Sequence, residues 1–219
     1  MNQIHLIFVL FFATSFKPFA FCQTTDFEGT IGYTRTQSFD WMYGDTIDRS
    51  TEIDTITRHF KNGNWIQLNS EKDDLITHQH FLYKKCKIFS YNSTNTSDIY
   101  ESDFMDDIDF RAHSLTLNAD TILGIPCHLL FLEYKEYTLK LWMNHDSVYS
   151  KGVCDCFKLE GIGRKHPIYS TLGIPLKSIY ENKNPREHMK TTLEAILIEN
   201  SKVDESLFKL PTFDHIIKD

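Results

Sequence analysis

The chain has 219 residues, of which 41% are hydrophobic and 14% aromatic, and it carries a formal charge of −7. That length holds one domain with a full core or two small ones, and its apolar content lets it fold without a structural metal. The acidic balance, with no Lys/Arg cluster interleaved with aromatics, excludes nucleic acid or an anionic membrane surface as the main partner, because both need cationic patches.

The first 22 residues read as an export signal. Residues 4–12 form an apolar run, and Ala20-Phe21-Cys22 puts small residues at the −3 and −1 positions before Gln23. The run is too short to span a bilayer, which takes ~20 residues. Cleavage would remove Lys17 and take the charge from −7 to −8. Lipidation of Cys22 is the alternative, and Phe21 directly before it fits that poorly. The expected layout is therefore a signal peptide at 1–22 and a single antiparallel β domain at 23–219. The expected location is periplasmic or extracellular, with no transmembrane segment in the mature chain.

An oxidising compartment favours paired cysteines. The mature chain keeps Cys86, Cys127, Cys154 and Cys156, and four cysteines allow three connectivities. Bridging Cys154 to Cys156 is strained, since one residue separates them. We expect each to pair outward, one with Cys86 and the other with Cys127; a single bridge with two free thiols is the alternative.

In chain order, residues 27–38 alternate, with Phe27, Gly29, Ile31, Tyr33 and Arg35 on one face, and predict the first strand. Residues 39–50 read as loop. Residues 55–60 and 64–69 flank Asn62-Gly63, the strongest short-range turn signal in the chain, and predict a hairpin. Residues 75–82 and 87–91 predict another across 83–86. Residues 92–97 read as a polar loop whose two glycosylation-type triplets are chance turn residues. Residues 97–110 read as a helix capped by Ser97, with Ile99, Phe104 and Ile108 roughly periodic. Residues 113–117 predict a short strand.

Residues 120–146 hold the clearest pattern: two apolar runs, 127–134 and 137–143, separated by Lys135-Glu136 and preceded by Gly124-Ile125-Pro126. This predicts an antiparallel hairpin. Residues 147–166 read as irregular. Residues 174–180 and 190–199 predict strands, and 203–219 a lid that packs down. Leu123-Gly124-Ile125-Pro126 recurs as Leu172-Gly173-Ile174-Pro175 with little flanking similarity, and reads as one turn solution used twice.

Chemistry-bearing patterns are sparse. His78-Gln79-His80 puts two imidazoles on one strand face, yet no third ligand has a diagnostic spacing, so a polar strand face is the expectation. Cys154-Asp155-Cys156 lacks the spacing of a zinc knuckle or a thioredoxin-type motif. Asp98, Glu101, Asp103, Asp106, Asp107 and Asp109 lack the calcium-loop arrangement and read as a solvated face. Gly161-Ile162-Gly163 is not a phosphate loop, and no hydrolase, metalloprotease or Ser-x-x-Lys signature is present. We therefore expect no catalytic residues, no metal and no cofactor.

What remains is an aromatic supply on amphipathic strands: Tyr33, Trp65, Phe81, Phe89, Phe131, Trp142 and Tyr180. A curved sheet has a concave face on which such groups can hold a lipid-like ligand, or they form the core beneath a lid. Trp65, Phe131, Trp142 and Tyr180 are the ligand-binding candidates.

Several short motifs resemble the GLPGLI family of exported proteins, found largely in Bacteroidetes, and its relatives with an outer-membrane-lipoprotein-carrier-like half-barrel. They are Phe27-Glu28-Gly29-Thr30-Ile31, the segment 121–127, the Trp142 strand, Leu172-Gly173-Ile174-Pro175-Leu176, and Val203-Asp204-Glu205-Ser206-Leu207-Phe208 with Leu210-Pro211. Leu176 stands where the naming motif has glycine. The resemblance implies a mostly β (α+β) fold: a curved antiparallel sheet or half-barrel, with a short helix or lid covering the concave face, in the cell envelope. It transfers no catalytic residues. The functional expectation is a non-enzymatic envelope protein binding a hydrophobic or lipid-like ligand. The alternative is a structural or protein-interaction module of the envelope.

Overall fold

Period-two alternation runs through most of the chain and dictates strands. The computed structural model describes residues 26–43, 46–69, 78–92, 97–103, 110–144, 173–184 and 187–218. Strands take up 77% of these residues, and no α-helix occurs among them. In chain order they are β1 (Gly29–Tyr43), β2 (Thr46–Lys61), β3 (Asn64–Asn69), β4 (His78–Leu82), β5 (Lys87–Tyr91) and β6 (Asp98–Asp103). Then come β7 (Phe110–Ile122), β8 (Ile125–Tyr134), β9 (Tyr137–Asn144), β10 (Pro175–Asn182), β11 (Glu187–Asn200) and β12 (His215–Lys218).

All twelve lie in one open, curved sheet, ordered β12-β6-β5-β4-β3-β2-β1-β11-β10-β9-β8-β7. One meander runs outward from β1 to β6, and a second returns from β7 to β11. The two are joined by the antiparallel pairing of β1 with β11. Only β12 pairs parallel, on the outer edge of β6.

Three turns explain the meanders. Asn62 and Gly63 (φ 52° and 76°) have the left-handed backbone of a two-residue hairpin turn, and so do Leu123 and Gly124 (φ 51° and 78°). The 3-10 segment Tyr83–Lys85 and Cys86 (φ 49°) connect β4 to β5. The hairpin predicted from the apolar runs 127–134 and 137–143 forms, with β8 and β9 pairing across Lys135-Glu136.

Several expectations are corrected. The loop expected at 39–50 is replaced by strand over 39–43 and 46–50, because the β1–β2 register continues unbroken from Gly29↔Phe60 to Tyr43↔Thr46. The helix at 97–110 is not formed over 98–103. There Ile99 points inward and Tyr100 outward, and the backbone bonds lie between β5 and β12. Residues 104–109 lie outside the described set. The repeated tetrapeptide is not one turn used twice. Gly173 lacks the positive φ of Gly124, and its N–H donates to the Asn144 carbonyl at 2.7 Å.

The core has three parts. Ile31, Tyr33, Ile56, Phe60, Trp65 and Phe81 form the central cluster together with Ile174, Leu176 and Ala195. Leu130, Leu132, Tyr134, Leu141 and Met143 form a second on the β8–β9 hairpin. Phe89, Tyr91 and Ile99 form a third, against which Leu210 and Phe213 of the C-terminal tail pack. The lid expected at 203–219 is this tail. Its anchor is Val203, whose N–H donates to Glu28 Oε1 at 2.9 Å and whose carbonyl accepts from Lys61 Nζ at 2.7 Å. A 3-10 turn, Glu205–Phe208, follows beside β3 before the tail ends as β12.

Candidate ligand-binding face

Directly opposed residues in neighbouring strands share a face, and successive residues alternate. Tyr180 opposes Leu139 and Thr191, and Leu193 opposes Ser178 and Arg35. This face also holds Tyr33, Arg58, Trp65, Phe81, Phe39 and Trp41. Phe131 opposes Lys140, which opposes Ile179, while Trp142 opposes Leu129 and Lys177. The four candidates therefore do not converge. Trp65 and Tyr180 are on the first face, and Phe131 and Trp142 are on the second.

Trp65 is buried, with its ring stacked 5.7 Å from Phe81, so it serves the core. Trp142 is half-buried and receives the Lys177 ammonium 5.5 Å from its ring centre. Lys177 is in turn held 2.9 Å from Glu194. Tyr180 belongs to an accessible group. The Tyr134 and Tyr137 ring centres lie 4.4 Å apart, and those of Tyr137 and Tyr180 lie 5.2 Å apart. Around them Leu139, Leu193, Met189, Phe39 and Trp41 are each half-buried on the first face. Together they make an apolar strip across β9, β10, β11 and β1 that solvent reaches.

Arg58 lies on the same face, four residues along β2 from the row of Leu193. Its guanidinium carbon is 5.3 Å from the Tyr33 ring centre and 4.9 Å from that of Trp65, and its Nε donates to Gln67 Oε1 at 2.8 Å. Burial holds the Arg58 pKa below its usual value, and burial pushes the Tyr33 hydroxyl up to about 12 against the opposing pull of Arg58. The Tyr33 hydroxyl donates to the Pro175 carbonyl at 3.1 Å. Arg35, Lys61, Lys87, Lys177 and Lys183 each face a carboxylate. Among the described residues, no carboxylate pairs with Arg58.

Among the described residues no three His, Cys, Asp or Glu side chains cluster as metal ligands. His78 and His80 share a face as expected, but both turn to Tyr91. The His78 ring stacks on Tyr91 at 5.2 Å, and His80 Nε2 lies 2.8 Å from the Tyr91 hydroxyl. Burial, reinforced by His78, lowers the His80 pKa to about 4. Within the acidic stretch, Glu101 lies 3.6 Å from Lys87.

Cys127 corrects the disulfide expectation. It is a free, fully buried thiol within the central cluster, and its Sγ–H donates to the Ile125 carbonyl at 3.4 Å. Burial pushes its pKa up. The pairing expected of Cys86 with Cys154 or Cys156 falls on residues outside those described. Cys22, Cys154, Cys156, the leader and the segment 145–172 also lie outside them.

No protein-family model matches the chain, and no curated protein matches it. Among solved structures, PNGF-II in a C2 crystal form aligns with a TM-score of 0.38 and 15% identity, over 86% of this chain and 31% of that one. Its P21 form gives 0.39 and 14%. A DUF1329 family protein from Desulfovibrio piger ATCC 29098 aligns with a TM-score of 0.23 and 11% identity, over 83% of this chain and 90% of that one. The chain thus spans under a third of PNGF-II, and at these scores no alignment carries an argument about what it does. No helix among the described residues is long and apolar enough to cross a membrane.

Sequence reasoning missed Arg58, Tyr137 and Leu139. Arg58 stands where alternation places Ile56 and Phe60 on the same face, and an inward-facing arginine within an apolar row was the available signal.

Proposed function

We propose that this chain is an exported, non-catalytic protein of the cell envelope, related to the GLPGLI family, that holds a hydrophobic or lipid-like ligand on the first face of its sheet. The observation that carries this reading is the half-buried strip of Leu139, Tyr137, Tyr180, Leu193, Met189, Phe39 and Trp41. A sheet face crowded with aromatic and aliphatic groups that water still touches gains by covering them, at ~25 cal/mol per Å². A small apolar molecule provides such cover. Phe131 and Trp142, on the opposite face, are not part of this reading.

The test is binding of the neutral probe N-phenyl-1-naphthylamine to the mature protein, with native mass spectrometry of material purified from a periplasm. The expected result is a saturable rise in fluorescence and a co-purifying apolar ligand. Tyr180→Ser should weaken probe binding ~10-fold, and Trp142→Ala should leave it unchanged. Absence of both probe binding and bound ligand overturns the reading.

A further inference from the structure

We propose that Arg58 is the anchor for an acidic head group, a carboxylate or phosphate carried on an acyl chain that lies along the apolar strip. The inference rests on the ligand-binding reading above and names the ligand's class.

Among the described residues, no carboxylate balances the charge of Arg58. A guanidinium stays protonated in a protein, and taking it partly out of water is costly unless an anion or a full set of acceptors compensates. Arg35, which opposes Asp54 on the same face, shows the compensated arrangement: both Nε and a terminal nitrogen donate to the two carboxylate oxygens. Arg58 instead faces two aromatic rings and one amide. Of its five N–H donors, Nε is taken by Gln67, and the Tyr33 hydroxyl shares another.

The rings also fix its orientation. Tyr33 on β1 and Trp65 on β3 flank β2 diagonally, and the guanidinium carbon stands over both rings. The N–H groups met by neither Gln67 nor Tyr33 are left for an acceptor with two oxygens, the kind of group that arginine holds in carboxylate and phosphate.

The surroundings extend the site. Arg58 opposes Gln67, Gln67 opposes Gln79, and Gln79 opposes Ser90, so a polar row crosses β2 to β5 on this face. Gln67 and Ser90 are buried within it. In the other direction, β2 and β10 are three strand spacings apart, ~14 Å, and the row of Tyr180 crosses Thr191 and Gln37 to meet β2 at Glu52, six residues or ~20 Å along the strand from Arg58. The side chains of Tyr33, Ala195 and Leu193 lead from Arg58 to Tyr180. A charged end and an apolar path of this kind fit an anionic amphiphile.

The experiment compares cis-parinaric acid with its methyl ester. Both carry the same fluorescent chain and differ in charge. The acid should bind the wild-type protein ~10-fold more tightly than the ester. Arg58→Gln should collapse that ratio to near one, and Arg58→Lys should retain part of it. Displacement of the acid by palmitate but not by lysophosphatidate assigns the site to carboxylates. The converse assigns it to phosphates, and displacement by both means that the shared anionic chemistry is what is read. Equal binding of acid and ester by the wild type overturns the proposal and leaves the apolar-ligand reading standing. A preference that survives in a folded Arg58→Gln variant does the same. Binding of neither probe overturns both.

Discussion

His80 couples the fold to pH through one side chain. It is 1% exposed, and its Nε2 meets the Tyr91 hydroxyl, while its Nδ1 is sealed without a hydrogen-bond partner among the described residues. A charged imidazole has no counter-ion there, and His78 on the same face opposes it. The folded pKa near 4 therefore lies below the unfolded value of 6.5. The unfolded chain takes up the proton first as the pH falls. The stability associated with neutral His80 is thus complete above pH ~6.5, falls below it, and stops falling near pH ~4, where the folded form also protonates. Between pH 7 and pH 5 the loss should be ~2 kcal/mol. His59 and His78, whose values burial also lowers, add to it with the same sign. Glu28, Glu133 and Asp204 are held below their ordinary carboxylate values by hydrogen bonds, so the stability they add is lost mainly on further acidification below this range. His80→Gln keeps an acceptor for Tyr91 and has no proton to gain. Its denaturation midpoint should fall by less than half as much as that of the wild type over the same range. An equal fall in both proteins would acquit His80.

At the scale of elements, turns that carry their own chemistry were legible, and elements defined by distant partners were not. Asn62-Gly63 supplies two residues tolerant of positive φ, and the hairpin forms around them. Residues 39–43 and 46–50 read as loop because their own composition is mixed. They extend because β1 and β2 keep pairing, with Phe39 and Trp41 stacked along one face. Residues 98–103 carry charges that read as a helix start, yet the chain satisfies their backbone between β5 and the remote β12. The Leu123-Gly124 turn is the instructive case. Leu123 is half exposed and sits at φ 51°, where a branched aliphatic residue is strained by ~1 kcal/mol. Leu123→Asn should restore the favoured Asn-Gly turn and stabilise the protein by about that amount. Gly124→Ala meets no atom within 4 Å, so its cost is conformational, ~1 kcal/mol at φ +78°. Urea titrations of the two variants should move in opposite directions. Parallel shifts would show that the turn is not the source of strain.

At the scale of the molecule, strand content and the local hairpins followed from alternation, whereas the order of strands did not. The pairing of β1 with β11 runs from Gly29↔Asn200 to Trp41↔Glu187, residues far apart in the chain, and no local pattern specifies it. The candidate site depends on that pairing, because it sets Tyr33 of β1 beside Ala195 and Arg35 beside Leu193. Among the described residues, the lack of a carboxylate partner at Arg58 shows only once β1 and β3 are set beside β2. An open sheet also has two edges, and an edge invites pairing with another chain. One is β12, four residues long. The other is β7, thirteen residues long with Leu117 exposed. What blunts β7 is a bulge: Thr116 opposes Leu129 and Asp120 opposes Cys127, so Leu117, Asn118 and Ala119 share a space that only His128 faces. Asn118 takes φ 50° there, and its N–H donates to His128 Nδ1 at 2.9 Å. Such a kink twists an edge away from regular pairing. Deleting Asn118 and Ala119 restores one-to-one register and keeps every later side chain on its own face, because two residues preserve the alternation. The straightened edge should then recruit a second copy. Light scattering coupled to size exclusion should show the mass of the deletion variant rising with concentration above that of the parent. Identical masses across the series would mean that the bulge is not what guards this edge.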